Sequence, residues 1–168
     1  MTGDFDPCLN LVWQFDGIKD DSAPGETFAT KYGVTEMSYG DGLRYGWVKN
    51  AFQHATVDDC KAILWHMCWL SSNCEALPKG VDLMVFNDTM LTGGGHALGL
   101  LGRIVGATDT GPGLFVLAQQ MKPDTLIDKI ADGDEEYFKT LRNASLYLKG
   151  WTRREEFMKQ HAHAMMNA

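Results

Sequence analysis

The sequence predicts a mainly α-helical fold, a compact helical bundle with at most a short β-hairpin in the loop after the first helix. Apolar residues recur at the three- and four-residue spacing of helices along most of the 168-residue chain. Prolines such as Pro112 and Pro123 stand where apolar segments begin, a position at which a helix does not need the missing N–H. Glycines such as those of Gly93–Gly95 separate these segments. The length fits one domain that buries roughly two thirds of its unfolded surface.

The first helix is predicted to begin at Asp6 and Pro7 and to end near Gly17. Asp6 is a suitable N-cap, and Pro7 suits the first helical position. An apolar face at helical spacing follows, made of Leu9, Val12, Trp13 and Phe15. Asp16 then stands in the last turn of this helix, next to a polar loop.

The loop from Asp16 to Thr35 reads DGIKDDSAPGETFATKYGVT and is rich in carboxylates and turn-forming residues. Asp16, Asp21 and Glu26 could bring two or more carboxyl groups together there. Glycoside hydrolysis needs such a set, because one group protonates the leaving oxygen while another steadies the charge or activates water. The alternative is a solvated acidic loop without chemistry, and the spacing alone leaves both interpretations open.

The later helices are placed by local start and stop signals. Thr56 and Asp59 have the spacing of a capping box, which opens a helix with an apolar face. Pro78 starts the next helix, and Gly93–Gly95 end it. The remaining predicted helices cover Ala97–Val105, a short segment opened by Gly111 and Pro112, a longer one from Pro123 to the region of Leu141, and Trp151–Met165.

Several motifs give the chain a family resemblance. The run Thr30–Thr35, TKYGVT, resembles the Thr-Asn-Phe-Gly-Ile-Thr that closes the active-site loop in the glycoside hydrolase family 108 muramidases of phages and prophages. Asp16 precedes Thr30 by 14 positions, where that family has the glutamate of a Glu-Gly pair. Further similarities lie at Leu77–Asn87, at Gly93–Gly95, at Trp69 and at Gly150–Arg154. They extend over about residues 8 to 160, in the family's order.

The resemblance implies a lysozyme-like fold and an N-acetylmuramidase activity that cleaves between N-acetylmuramic acid and N-acetylglucosamine. It implies one domain over residues 1–168, with an active-site lobe at 1–76 and a peptidoglycan-binding-like lobe at 77–168. Asp16 is the expected acid, Glu26 or Asp21 the charge-stabilising group, and Thr30 the residue that positions water. By analogy with phage-type lysozymes the hydrolysis inverts the anomeric carbon.

Substrate binding is assigned to Asp21, Tyr32, Trp69 and Asn87. The rings of Tyr32 and Trp69 are expected to stack on sugar faces, with a core position as the alternative for each aromatic residue. Asn87 stands where the family has the aspartate of a Val-Phe-Asp sequence.

Two departures from the family pattern support a second hypothesis. Asp16 is one methylene shorter than the family's glutamate, and Leu91 replaces an amide residue. A misplacement of about 1 Å can reduce a rate on the order of 100-fold. The alternative function is therefore a catalytically degenerate, lysozyme-like wall-binding or virion structural protein. A third class is an unrelated helical enzyme or adaptor with a chance acidic loop.

Charge and termini bear on partners and location. The formal net charge of −7 and the lack of a cluster of basic residues argue against nucleic-acid binding. No apolar run approaches the roughly 18 residues of a membrane span, and the acidic N-terminus does not resemble a signal peptide. The expected partner is bacterial peptidoglycan, with other virion or tail proteins if a virion carries the enzyme. The expected location is the host cytoplasm until the lysis machinery releases the protein, or a virion.

Neither a cofactor nor a metal is expected from the sequence. The four cysteines form no Cys-x-x-Cys pair, and Cys60 and Cys68 lie about 80° apart around a helix, which is poor ligand geometry. Reduced, buried thiols are predicted instead. The pair Arg153 and Arg154 is interpreted as a solvated helix face, and the segment His161–His163 as a frayed tail.

Overall fold

The structure, a computed structural model, describes residues 4–16 and 29–166, with the side chain of Asp16 excepted. The mainly helical class is confirmed. The described α-helices are α1 (Phe5–Asp16), α2 (Glu36–Arg44), α3 (Val57–Leu64), α4 (Val81–Thr92), α5 (Gly94–Val105), α6 (Pro112–Gln120), α7 (Pro123–Thr140) and α8 (Ala144–Met166). Two short strands, β1 (Thr30–Lys31) and β2 (Val34–Thr35), precede α2. A π-helix at Trp65–Leu70 continues α3, and 3₁₀ turns lie at Phe52–His54 and Cys74–Ala76.

Helix α1 begins at Phe5, before the predicted cap. The amide of Cys8 donates to the carbonyl oxygen of Asp4 at 2.9 Å, so the first helical turn already contains Asp6. A carboxylate in that turn interacts favourably with the positive end of the helix dipole, which explains why the acid marks the start although it is not the cap. The end at Asp16 agrees with the predicted end near Gly17.

The predicted hairpin is confirmed, and it is very short. Thr30 lies opposite Thr35, and Lys31 lies opposite Val34. The two turn residues between the strands have positive φ, 51° at Tyr32 and 81° at Gly33, as in a type I′ turn. Thr35 also caps α2, because its hydroxyl oxygen accepts the amide of Ser38 at 3.2 Å.

The predicted capping box of α3 is confirmed. The Thr56 hydroxyl oxygen accepts the Asp59 amide at 3.1 Å, and the Asp59 carboxylate accepts the Thr56 amide at 3.0 Å. Beyond Leu64 the chain widens into the π-helix, which the sequence pattern did not predict. Such segments are rare and often occur at functional sites.

Helix α4 is the central helix of the fold. Its residues from Val81 to Thr89 are all buried, and α4 packs against α1, α5, α7 and α8. The chain enters α4 through Gly80, which has φ 85° and lies so close to α8 that a Cβ there would collide with the carbonyl group of Ala162. At its other end Gly93, with φ 92°, separates α4 from α5. The predicted break at the glycines is therefore confirmed, although Gly94 and Gly95 already belong to α5.

The C-terminal helices differ from the prediction at two places. Helices α6 and α7 begin at the predicted prolines, but α8 begins at Ala144 and is therefore longer than Trp151–Met165. The expectation of a frayed tail at His161–His163 was wrong. The ring of His163 lies 3.0 Å from Asp124 and 3.1 Å from Asp128, so contacts with α7 hold this turn of α8 in place.

Contacts of α1 with α4 and α8 cross the division expected at residue 76, and that division stays a prediction. None of the helices in the described residues is both long and apolar enough to cross a membrane.

Candidate functional site

A groove of about 300 Å³ lies beside the β-hairpin. Its walls are the hairpin and the start of α2, the end of α3 with the π-helix, and the junction of α4 and α5. The lining residues are Gly33, Val34, Thr35, Ser38, Ile63, Leu64, Met67, Cys68, Thr89, Met90, Gly93 and Gly94. Hydroxyl groups and apolar surface thus share this groove.

A hydrogen bond ties the end of α1 to the hairpin. The indole Nε1 of Trp13 donates to the carbonyl oxygen of Tyr32 at 3.2 Å. Asp16 is the last residue of α1, three positions beyond Trp13, so its backbone lies one turn further along the same helix face. The predicted acid therefore belongs to the element that is anchored to the hairpin. Asp21 and Glu26 lie outside the described residues.

The turn of the hairpin contains a strained residue. Tyr32 has φ 51°, a left-handed conformation that a bulky residue rarely adopts. Its half-buried ring packs against the hydrophobic core, and its carbonyl receives the bond from Trp13. Strained backbone is frequent at ligand sites, where the surrounding contacts hold it. Gly33, which follows, lines the groove.

Thr30 and Thr35 face each other across the hairpin. Thr35 lines the groove, whereas half-buried Thr30 lies one strand away from it. The neighbouring Lys31 anchors this strand, since its ammonium donates to the carbonyl of Gln53 at 3.1 Å and lies 5.5 Å from the centre of the Phe52 ring.

Trp69 does not lie on the surface, and the prediction that it stacks on a sugar is corrected. Only 1% of the residue is exposed, and its ring packs edge-on against Phe5 and Phe86 at centroid distances of 5.5 and 5.6 Å. Its Nε1 donates to the Glu75 carboxylate at 3.1 Å. The π-helix turns this tryptophan into the core, which was the alternative position for it.

Asn87 is also buried, so its assignment to substrate binding is corrected. Arg154 Nε donates to Asn87 Oδ1 at 2.7 Å, and Asn87 Nδ2 donates to Glu155 Oε2 at 3.0 Å. The physical reason is that α8 covers the side of α4 that carries Asn87. The same contacts overturn the interpretation of Arg154 as part of a solvated face, since Arg154 and Glu155 are buried.

The groove offers hydroxyls and a thiol, and among the described residues that line it there is no carboxylate. Burial raises the pKa of the Cys68 thiol to about 12, so this group stays neutral and is a poor nucleophile. Thr89 Oγ1 lies 2.8 Å from Ser72 Oγ. None of the described residues that line this groove is therefore suited to act as a general acid.

A second, more open groove of about 440 Å³ lies between α1 and α8. Gln14 and Phe15 line it from α1, and Arg153 and Glu156 are among the residues that line it from α8. The guanidinium carbon of Arg153 lies 5.6 Å from the centre of the Phe15 ring. The end of α1 thus lines this second groove, whereas its link to the hairpin is the bond from Trp13 to Tyr32.

Sequence reasoning missed a buried polar cluster on the other side of α4. Asp88 of α4, His96 of α5 and Asp134 of α7 each offer one ligand atom, and these atoms lie within 4.8 Å of one another. Burial raises the pKa of both aspartates and of Glu155, which lies close enough to raise that of Asp134 further. A weak signal was available, because Asn87, Asp88 and Thr89 stand between the apolar residues Leu83–Phe86 and Met90–Leu91 of one helix, and a charged residue is seldom buried without a partner.

The prediction for the cysteines is confirmed. All four cysteines are buried, and Cys8, Cys68 and Cys74 are free thiols.

Comparisons with known proteins identify the fold of this chain but do not assign it to a family. No family model matches the sequence, and no curated protein is similar to it. Among solved structures, Brucella abortus SagA superimposes with a TM-score of 0.85. The superposition covers 99% of this chain and 97% of the SagA chain, at 22% sequence identity. The chain therefore has the fold of SagA over its full length.

Proposed function

We propose that this protein is a peptidoglycan hydrolase, an N-acetylmuramidase that cleaves the bond between N-acetylmuramic acid and N-acetylglucosamine. The observation that carries the proposal is the bond from Trp13 to Tyr32, which anchors the end of α1, with Asp16, at a hairpin that borders a groove. The resemblance of the Asp16 and Thr30–Thr35 segments to glycoside hydrolase family 108 supplies the chemistry. The fold shared with SagA extends over 99% of this chain, which supports a single domain.

In the proposed reaction Asp16 donates a proton to the glycosidic oxygen. Trp13 and Phe15 precede it on α1, and an apolar setting raises the pKa of a carboxyl group, as a general acid requires. Glu26 or Asp21 stabilises the oxocarbenium-like charge, and the Thr30 hydroxyl positions the attacking water. An inverting route needs roughly 6.5–9.5 Å between the two carboxyl groups, which leaves room for that water.

Tyr32 remains the aromatic candidate for contact with a sugar. Its ring is half-buried, and its backbone carbonyl accepts the hydrogen bond from Trp13. This bond holds Tyr32 next to the end of α1. The proposal includes two alternative routes to the cell wall. A phage endolysin stays in the host cytoplasm until the lysis machinery releases it, whereas a virion-associated lysin is carried by the particle.

The experiment is a turbidity assay on purified peptidoglycan with matched variants. Asp16→Ala removes the acid and should abolish clearing, whereas Asp16→Glu restores the longer carboxyl and should keep or increase it. Glu26→Gln tests the second carboxylate. Asp6→Asn is the control, because Asp6 lies in the first turn of the same helix, at the opposite end from Asp16, and pairs with Lys61 at 2.8 Å. Clearing by Asp16→Ala at the wild-type rate would rule out this mechanism.

A catalytically degenerate wall-binding or virion structural protein is the second candidate. It is favoured by the short acid at position 16, by Leu91 in place of an amide, and by the lack of a carboxylate among the described residues of the groove. In that case every variant fails to clear peptidoglycan, but the wild type sediments with insoluble wall. Absence of both clearing and sedimentation would favour the third class, an unrelated helical enzyme or adaptor.

A further inference from the structure

Three potential ligand groups, two of them buried and one partly exposed, converge where α4, α5 and α7 meet. His96 Nε2 lies 3.3 Å from Asp134 Oδ1 and 3.9 Å from Asp88 Oδ2. The aspartates are almost fully buried, while 14% of the His96 side chain is exposed. The cluster thus has a closed acidic interior and one histidine at its accessible side.

Several oxygens around this cluster lack a hydrogen-bond donor. Asp88 Oδ2 and Asp134 Oδ2 accept no hydrogen bond from another kind of side chain among the described residues, although the two carboxyl groups lie close enough to hydrogen-bond to each other when Asp134 holds a proton. No donor among these residues reaches Oε1 of Glu155, a separate side chain on α8 that is fully buried and whose charge acts on Asp134. A buried carboxylate oxygen without a donor or cation is costly. The two aspartate oxygens point to a bound cation, which would take the place of the proton that the carboxyl groups otherwise share.

Neighbouring side chains hold two of the three groups in position. The Thr92 hydroxyl donates to Asp88 Oδ1 at 2.5 Å, which turns Oδ2 towards His96. The ring of Tyr137 stacks on His96 with 3.8 Å between centroids and fixes the plane of the imidazole. Such orienting contacts are typical around metal ligands.

We propose that Asp88, His96 and Asp134 form a binding site for a divalent transition-metal ion of the zinc class, which fastens α4, α5 and α7 together. Ligand atoms about 2.0–2.1 Å from a tetrahedral zinc are about 3.4 Å apart. The His96–Asp134 separation of 3.3 Å, which is a hydrogen bond in the metal-free protein, matches this value, and the His96–Asp88 separation of 3.9 Å must shorten by about half an ångström. Water fills the fourth position. The site lies outside the groove of the proposed hydrolase and does not depend on that function.

The ligand set selects the class of ion. Calcium takes six to eight oxygen ligands, and magnesium keeps most of its water, so an imidazole in a three-residue site suits neither. Two carboxylates with one imidazole suit zinc, and manganese less well. The lack of a thiolate argues against Cu(I).

The test uses tag-free, full-length protein, stripped with EDTA and kept reduced with a non-chelating phosphine. Zinc chloride is titrated by calorimetry, and bound zinc is counted by mass spectrometry after desalting. The expected result is one zinc per chain and a melting temperature that rises by several degrees in excess zinc, as a ligand of the native state requires. Calcium and magnesium should leave the melting temperature unchanged.

Variants decide whether the binding belongs to this site. Asp88→Asn and Asp134→Asn keep the shape of the side chains and should weaken zinc binding by about 100-fold or more, whereas Thr92→Val, which removes an orienting contact, should cost about 10- to 100-fold. Melting without zinc confirms that each variant folds. His163→Ala is the matched control, because His163 also lies between two aspartates but on the surface.

Three results would overturn the proposal: no zinc retained by the wild type, zinc retained unchanged by Asp134→Asn, or zinc lost in His163→Ala. The first would mean that protons alone neutralise the buried carboxyl groups. Peptidoglycan clearing is measured in parallel with EDTA, and it should persist, so failure of the metal site and failure of the hydrolase proposal remain separate.

Discussion

The indole nitrogen of Trp13 donates a hydrogen bond to the backbone carbonyl of Tyr32 across 19 positions of sequence. This bond joins the end of α1 to a hairpin turn that holds a tyrosine at positive φ. It is part-buried, so water replaces it poorly when it is lost. The position of the hairpin turn relative to α1 therefore depends on the indole N–H of Trp13.

Trp13→Phe should destabilise the protein and disturb the site together. The lost hydrogen bond and the smaller ring should lower the free energy of unfolding by roughly 1–2 kcal/mol, measured by urea denaturation followed by circular dichroism. If the proposed hydrolase is correct, clearing should fall more than the folded fraction does. Trp47→Phe, on a half-buried ring stacked with Tyr45 and His66, is the control and should change clearing little.

A pair of glycine substitutions separates backbone strain from crowding. Gly33 has φ 81°, and a Cβ there would meet Met90 only at an ordinary contact distance of 3.5 Å. Gly33→Ala should therefore cost about 1–2 kcal/mol of unfolding free energy through the backbone alone. Gly40→Ala in α2 meets no atom within 4 Å and should be neutral or stabilising by up to about 1 kcal/mol. Equal effects of the two changes on the melting temperature would contradict the strained turn.

We expect buried Asp82, near the start of α4, to make the folded state less stable as the pH rises. Burial raises the pKa of this carboxyl from 3.8 to about 6, although the amides of Leu83 and Gly80 donate to it. The folded state then binds the proton more tightly than the unfolded state. Its contribution is most favourable below about pH 4 and is lost as the pH rises through 6.

The measurement is the free energy of unfolding between pH 4 and pH 8 for the wild type and Asp82→Asn. Asparagine keeps an acceptor oxygen for the two amides but does not ionise. The difference between the two proteins should change by up to about 3 kcal/mol across that range. Groups that act on Asp82 include Asp4 and Lys79, and the nearby thiols of Cys8 and Cys74 remain neutral throughout because burial raises the pKa of each. Parallel curves would exclude an ionising buried Asp82.

Local signals explain which elements the sequence could predict. Thr56 and Asp59 accept each other's backbone amides within four residues of sequence. Pro112 and Pro123 mark helix starts because the fixed φ of proline suits the first helical position. Such information is contained in the neighbouring sequence. The start of α8 at Ala144 was missed because Gly150 is a poor helix former and therefore suggested a helix boundary. Packing against α7 stabilises the helix on both sides of this glycine.

The site was harder to predict, because burial of a polar residue is decided by distant parts of the chain. Periodicity showed that α4 is apolar, but α8, more than 50 residues later, supplies the Arg154 and Glu155 that cover Asn87. The cluster of Asp88, His96 and Asp134 likewise joins three helices, and none of these residues has a metal-ligand spacing in sequence.

The corrected role of Asn87 gives a double-mutant test. Asn87→Asp keeps the acceptor for Arg154 but turns an acceptor towards Glu155, whose buried carboxylate then loses its donor. Burial raises the pKa of Glu155 to about 8, so the comparison is made at pH 9, where the carboxyl group is ionised, and the free energy of unfolding there should fall by about 1–3 kcal/mol. Adding Glu155→Gln supplies an amide donor at that contact and should recover most of the loss, which a cycle of the four proteins measures by urea denaturation. Because the pair is structural, clearing per folded molecule should be equal in all four proteins. A loss of clearing in Asn87→Asp that Glu155→Gln does not rescue would instead support Asn87 as a substrate-binding residue.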